Sequence, residues 1–414
     1  MHSSRKRTWT APFLALILLA AVSCTSADTG AADSGTADIS GTDSAAVTET
    51  AAETETETEA ETAAEAATEA NIHADEQGDI TVTPVPIRRT DDWVDWNADY
   101  NNPKVALDEI VEGLVSQNVY VGRDGWLFYY DSIQDFTGEN LYSAAMLKRI
   151  AKQMQERADW CEDNGMTFYF MIAPNKNTIY PEKMMSSMTE GEQRRIDQVY
   201  DYLRENTTVK TIDVRDALYA AKDANPDEIL YYPLDTHWNN HGGFIAYQAM
   251  MDVIQKDFPN ALKFSREDYQ IDYFDAHFKD CAYYLGWYDT LENAGPVYTK
   301  LDGKTGSVAW HDWSGEFGQF VHAYIDPETG YQESCYNASF VNEYAPDAPS
   351  LYIVRDSFFM ALSTFLRDSF SEVTTTWTTD FPNGDIADKD PDIVIYEVVE
   401  ANMDAVFGQP TFRN

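Results

Sequence analysis

Serine becomes a nucleophile only where a base takes its proton and a third group orients that base. The segment LYIVRDSFFM, residues 351–360, sets Ser357 where an apolar run ends and a helical pattern begins. Two readings stand: Ser357 caps that helix, or it attacks. Histidine is the usual base, because its pKa lies near neutrality. The chain has seven histidines. His2 and His73 fall in an N-terminal region set aside on composition, leaving His237, His241, His277, His311 and His322. His237 stands out because Asp235 precedes it by two residues, in Asp235-Thr236-His237-Trp238. On extended backbone, residues i and i+2 share a side. The Asp235 carboxylate could then hold Nδ1–H and leave Nε2 free to accept a proton. Trp238 would shield the pair from water on one flank. The competing reading makes Asp235 a helix cap and His237 a surface residue; spacing alone does not bring Ser357 to Nε2.

The elements that must position these residues alternate. VYVGRDGWLFYYDS, 119–132, reads as a hairpin turning at Arg123-Asp124-Gly125. Residues 143–163 have helical periodicity and stop at Asn164-Gly165. MTFYFMIAP, 166–174, is a continuous apolar run ended by proline, as expected of a central parallel strand. A charged helix over 189–205, a short strand over 209–214 and a helix to Lys222 follow. The loop YYPLDTHWNNHGG leads into the amphipathic helix FIAYQAMMDVIQKDF. Residues 265–345, rich in Tyr, Trp, Gly and Asp, interrupt the pattern as an irregular β insertion. It resumes with SLYIVRDSF, a helix over 358–369, EVTTTW at 372–377 and DIVIYEVV at 392–399. Alternating strands and helices predict an α/β fold, a three-layer α/β/α sandwich around a mostly parallel sheet. Ligands of such sheets gather at the C-terminal strand ends. The loops there are Pro174–Pro181, the turn around Asp213, and Arg355–Phe358, so Ser357 sits on that edge.

The N-terminus is separate in character. Arg5-Lys6-Arg7 precede APFLALILLAAVS, an apolar run of signal-peptide length that ends in Ala21-Val22-Ser23-Cys24. Small residues before a cysteine resemble a lipoprotein cleavage site, so residues 1–24 read as an export signal with Cys24 as the lipid-attachment residue. Residues 25–88 are dominated by Ala, Thr, Ser, Asp and Glu, with no Lys or Arg between Arg7 and Arg88. Such a stretch lacks the apolar surface to offset ordering entropy and reads as a disordered acidic tether. Residues 89–414 are then the folded domain. The expected location is outside the cytoplasm, on the outer face of the cytoplasmic membrane or at the cell surface, held by the lipid. The net charge is −41. The folded part is acidic too, which argues against nucleic acid as a partner, since phosphate contacts need clustered Lys and Arg. An exported protein can oxidise cysteines; Cys281 and Cys335 share the aromatic-rich segment and are the candidate pair, with Cys161 buried and free.

Asp-Thr-His-Trp at 235–238 before a helix, and strand–Arg-Asp-Ser-Phe–helix at 353–358, resemble the alginate O-acetyltransferase family. These are SGNH-hydrolase-like proteins of exopolysaccharide acetylation, including the related DHHW proteins. VGRDGWLFY at 121–129 and APNKNTIYPEKM at 173–184 match two further stretches of that family. The resemblance runs from about residue 90 to the C-terminus. It implies an SGNH-like sandwich with a permuted motif order, Asp–His before Ser. It also assigns the family's catalytic Asp, His and Ser to Asp235, His237 and Ser357.

The oxyanion donors are less defined. Backbone N–H groups of Ser357 and Phe358 at a helix N-terminus would serve. Asn175 and Asn177 could add a side-chain donor or could cap a turn. Lys176 could hold an acidic sugar or pair with a carboxylate, and Arg355 could contact substrate or form a structural salt bridge. Trp238 is grouped with these substrate-side residues. Tyr180 and Pro181 read as loop packing. Trp287, Trp310 and Trp313 with Tyr283, Tyr284 and Tyr288 could line a glycan groove or fill a core.

His237 and His241, four apart, lack the third ligand and glutamate of a zinc motif, so no metal and no cofactor is expected. Gly303-Lys304-Thr305 lacks the earlier glycine of a phosphate loop; Tyr298 stands there. No two acids stand out as a glycosidase pair. The expected activity is serine-dependent O-acetyl transfer to a cell-surface or secreted polysaccharide. By analogy with the family, a membrane-bound O-acyltransferase would supply the acetyl groups. A carbohydrate acetylesterase and a noncatalytic polysaccharide-binding protein are the alternatives.

Overall fold

The computed structural model describes residues 118–275, 279–285, 287, 294–311 and 337–413, together with 73–74, 80–81 and 113–114. The leader with Cys24, most of the acidic segment, His277, Tyr288, Trp313, His322 and Cys335 lie outside the described residues, as do the side chains of Trp310 and His311. The chain divides into two units, Met1–Thr83 and Pro84–Asn414. In the first, His73–Ala74 pairs antiparallel with Ile80–Thr81. All other described elements belong to the second.

A small antiparallel sheet opens that unit. It contains β1 (Val119–Val121) and β2 (Leu127–Tyr129), with Gly113–Leu114 on the outer side of β1. Their turn needs left-handed backbone at two successive residues, Asp124 (φ 58°) and Gly125 (φ 76°). Aspartate and glycine tolerate that conformation best. Helix α1 (Ala144–Asp163) starts where the Ser143 hydroxyl accepts the Met146 N–H and ends before Gly165, at φ 81°.

Strand β3 (Thr167–Ala173), α2 (Arg195–Asn206), β4 (Lys210–Ile212), α3 (Arg215–Ala224) and α4 (Asn240–Ile254) follow. Helix α2 starts six residues later than its charge pattern suggested. The Asp197 carboxylate accepts the Arg194 N–H at 2.8 Å at its first turn, and the preceding residues are non-helical. Helix α4 starts four residues earlier than its apolar pattern, because the Asn239 side chain accepts the N–H groups of His241 and Gly242.

After α4 come the hairpin strands β5 (Tyr269–Asp275) and β6 (Ala294–Lys300), then β7 (Ser307–His311) and β8 (Asn337–Val341). The chain closes with β9 (Ser350–Arg355), α5 (Met360–Ser369), β10 (Glu372–Trp377), α6 (Asn383–Lys389) and β11 (Ile393–Val399). The main sheet has the order β7-β8-β10-β9-β11-β3-β4. The five strands from β10 to β4 are parallel; β7 and β8 run antiparallel on the β10 side. The segment expected as an irregular insertion thus contributes two strands at this edge, of which β8 pairs backbone groups that β10 would otherwise leave open and β7 pairs β8 with a register shift between Val308 and Trp310.

Side chains alternate across the sheet. Phe168, Phe170, Ile172, Tyr352, Val354 and Val394 face the layer of α1, α2 and α6. Tyr169, Met171, Leu351, Ile353 and Ile395 face α3, α4 and α5. Both faces are covered, which is why β9 and β11 read as unbroken apolar runs. This is the expected three-layer α/β/α sandwich.

The candidate pairing of Cys281 with Cys335 falls on Cys335, which lies outside the described residues. Cys281 is buried in a minor core with Val119, Leu127, Leu234 and Trp287. Cys161 is free and buried.

Candidate active site

Ser357 follows β9 at the C-terminal edge of the sheet, and the 235–238 loop arrives there just before α4. Two devices draw them together. Trp238 Nε1 donates to the Phe358 carbonyl at 2.8 Å. Behind that bond, α4 packs on α5 through glycine: a Cβ on Gly243 would lie 2.7 Å from the Ala361 Cβ and 2.6 Å from its carbonyl oxygen. Only a residue without a side chain permits that approach.

The resulting chain of hydrogen bonds is short. Asp235 Oδ1 lies 2.6 Å from His237 Nδ1 and also accepts the His237 backbone N–H at 2.9 Å. His237 Nε2 lies 2.7 Å from Ser357 Oγ. Ser357 is not the helix cap. Asp356 is, accepting Phe358 N–H at 2.9 Å and Val399 N–H at 2.7 Å. The hydroxyl is therefore left to the imidazole. The Asp235 loop is fixed from both sides. Lys176 Nζ donates to the carbonyls of Tyr232 (3.0 Å), Pro233 (3.1 Å) and Asp235. The helical turn Asp280–Tyr284 supplies its first N–H to Asp235 Oδ2 at 2.7 Å, and the Asp280 carboxylate accepts Thr236 N–H and Oγ1–H at 2.9 and 2.6 Å.

Electrostatics follow from this packing. Burial disfavours the charged form of Asp235, but His237 and the N–H donors outweigh it and hold the carboxyl below its usual range. Burial would likewise lower His237; Asp235, then Asp280 and Asp356, reverse the sign and raise its pKa. Burial, then the Asp235 charge, push Asp280 up to about 6. Beneath the serine turn, Glu397 accepts the Asp356 N–H at 3.0 Å; burial and the Asp356 charge push it well above the carboxylate range, favouring its protonated form. None of Asp280, Asp356 or Glu397 stood out in sequence, because the sheet brings them together from distant segments.

Of the other proposed site residues, Trp238 and Phe358 line the pocket beside Ser357 and the rest are placed elsewhere. Phe358 is not an oxyanion donor, since its N–H is held by Asp356; its ring packs on His237, centroids 4.8 Å apart. Asn175 Nδ2 donates to Asp135, and its side-chain oxygen Oδ1 accepts the Ala401 N–H. Asn177 bonds Ser132. Lys176, 4 % exposed, touches neither a carboxylate nor the serine pocket; it holds carbonyls beside the rings of Trp126 and Phe128. Arg355 is buried with its guanidinium over Trp377 and Phe359, 4.7 and 5.2 Å from their centroids, rather than facing substrate. Tyr180 packs its loop as expected, its hydroxyl taking the Leu230 N–H. Trp287 is core. His241, buried on α4, bonds Tyr298 and Glu228.

A small pocket of about 10 Å³, open to solvent, adjoins Ser357. Its walls are Tyr232, His237, Trp238, Asn240, Phe358, Met360 and Ala361, predominantly apolar. Asp235, His237 and Asp280 have ligand atoms within 4.8 Å of one another, close enough for a cation. Those carboxylate oxygens already accept protein N–H and O–H groups, so the hydrogen bonds account for the cluster.

Residues 119–280 match the family model of the SGNH hydrolase-like domain of acetyltransferase AlgX. Over those residues the chain is similar to that domain. That match contains Asp235 and His237 and stops short of Ser357. In fold, the chain is similar to Bacillus cereus PatB1 with a sulfonyl adduct, with a TM-score of 0.52 and 15% identity, covering 71% of this chain and 99% of that one. It is also similar to a DHHW family protein from Eubacterium siraeum, with a TM-score of 0.51 and 15% identity, covering 73% and 96%. No curated protein matches the sequence. Among the described residues, no helix is long and apolar enough to cross a membrane.

Proposed function

We propose that this protein is an O-acetyltransferase acting on an exported polysaccharide through Ser357, His237 and Asp235. The reading rests on one observation: Ser357 Oγ is 2.7 Å from His237 Nε2 while Nδ1 is 2.6 Å from Asp235. In the proposed reaction, Nε2 takes the hydroxyl proton as Oγ bonds to the acetyl carbonyl carbon. The imidazolium returns that proton to the departing alcohol or thiol, leaving acetyl-Ser357. Nε2 then deprotonates a sugar hydroxyl, which attacks the ester, and the proton passes back to Ser357 as it leaves. Asp235 holds the tautomer and balances the imidazolium charge. Domain type and fold support acetyl chemistry. Export through residues 1–24, lipid attachment at Cys24 and supply of acetyl groups by a membrane-bound acyltransferase complete the reading.

Incubation with p-nitrophenyl acetate and acetyl-free oligosaccharides tests it. Acetylated sugar formed by the wild type and abolished in Ser357→Ala supports transfer. Acetate release alone, equally Ser357-dependent, makes the protein an esterase. Turnover indifferent to Ser357→Ala removes the catalytic reading.

A further inference from the structure

The attack described above builds negative charge on the acyl oxygen, and that charge needs hydrogen-bond donors placed beforehand. Phe358 N–H cannot serve, being bound to Asp356. Asn175 and Asn177 are bonded within another loop. Asn240 differs from both. It is 5 % exposed, no described residue hydrogen-bonds its side chain, and it lines the cavity with Ser357 and His237. With no protein partner, the amide is open to that cavity and available to a ligand there. Its position is also fixed. Asn239 takes the capping role, which leaves Asn240 as the first residue of a 15-residue helix, with the positive end of the dipole beside it. The Ser357 N–H likewise has no acceptor among the described residues.

We infer that the Asn240 side-chain amide and the Ser357 backbone N–H form the oxyanion hole of this enzyme. This rests on the acyl-serine reading above. As the Ser357 Oγ–carbon bond forms, the carbonyl π pair moves onto oxygen. The Asn240 Nδ2–H and Ser357 N–H donate to that oxygen, while the hydroxyl proton goes to His237 Nε2. Collapse restores the carbonyl and expels the leaving group. Asn240 transfers no proton and acts by hydrogen bonding alone.

The test measures p-nitrophenyl acetate turnover by the full chain and its Asn240→Ala, Asn240→Asp and Ser357→Ala variants, alongside thermal unfolding. Asn240→Ala is expected to lower kcat by about 10²–10³-fold, with KM changed less than about threefold. The pH midpoint set by His237 and the unfolding temperature should be unchanged. Asn240→Asp keeps the shape, covers the case in which the alanine variant folds poorly, and replaces the donor with a repelling charge; its kcat should fall at least as far. If either folded variant keeps kcat within about threefold of wild type while Ser357→Ala abolishes turnover, the Asn240 assignment alone is wrong. If the wild type shows no Ser357-dependent turnover, the acyl-serine reading falls and takes the assignment with it.

Discussion

Two loops meet at the same edge of the sheet and treat their polar groups in opposite ways. The loop after β3, Asn175 to Tyr180, is closed on itself and on its supports. Asn175, Lys176, Asn177 and Thr178 are all buried, and each polar side chain is bonded to protein. Its neighbour, Asp235 to Asn240, keeps the His237 Nε2 bond to Ser357 and the Asn240 amide at a cavity wall. Composition marks both as polar loops at a ligand edge. The difference lies in which groups face the cavity beside Ser357, and the loop turned away from it holds the other in place through Lys176.

Substitutions can break this comparison at either loop. Ser357→Ala should have the largest effect on activity, a loss of about 10⁴-fold or more, with unfolding free energy within about 1 kcal/mol of wild type; acetyl-ester turnover and urea titration report the two. Lys176→Met should reverse that balance. It leaves the Asp235 carbonyl without a donor, while those of Tyr232 and Pro233 keep the N–H groups of Asp235 and Leu127, and a loss of about 1–3 kcal/mol is expected from urea unfolding. Burial lowers the Lys176 pKa, with Cys281, Asp280 and Asp235 opposing, so the substituted group is a poorly solvated cation. Gly243→Ala should cost about 1–3 kcal/mol by overpacking against Ala361 and should lower kcat by parting the His237 and Ser357 elements.

The smallest effect concerns pH. His237 must be neutral to act as base, so kcat/KM should rise with pH through its raised pKa, above 6.5. Asp280→Asn removes one charge that raises it, and the midpoint should move down by about half a unit to one unit. The raised pKa also has a stability consequence. The contribution of the pair is fully present below the unfolded value near 6.5 and is lost as pH rises through the folded value.

Much of the fold is legible in sequence because burial on both faces removes polar alternation: 166–174, 351–355 and 392–399 each became a parallel strand. The Asp235–His237 pairing is legible because it is local, two residues apart on one backbone. What escaped depends on distant segments. Nothing local shows that Lys176 would be enclosed, that Asp356 would bind the Val399 N–H, or that Asp280 would reach back to Thr236. Asn240 left a faint local trace. Asn239 suffices as a cap, and a second asparagine at the first helical position is a weak helix former, which hints at a role other than helix formation.

Acid quenching within the first turnovers of p-nitrophenyl acetate, followed by peptide mass spectrometry, tests the central claim most directly. An acetyl group on the peptide bearing Ser357, strongly reduced in His237→Ala, is the predicted result. Turnover that continues with Ser357 unmodified and persists in Ser357→Ala would contradict it.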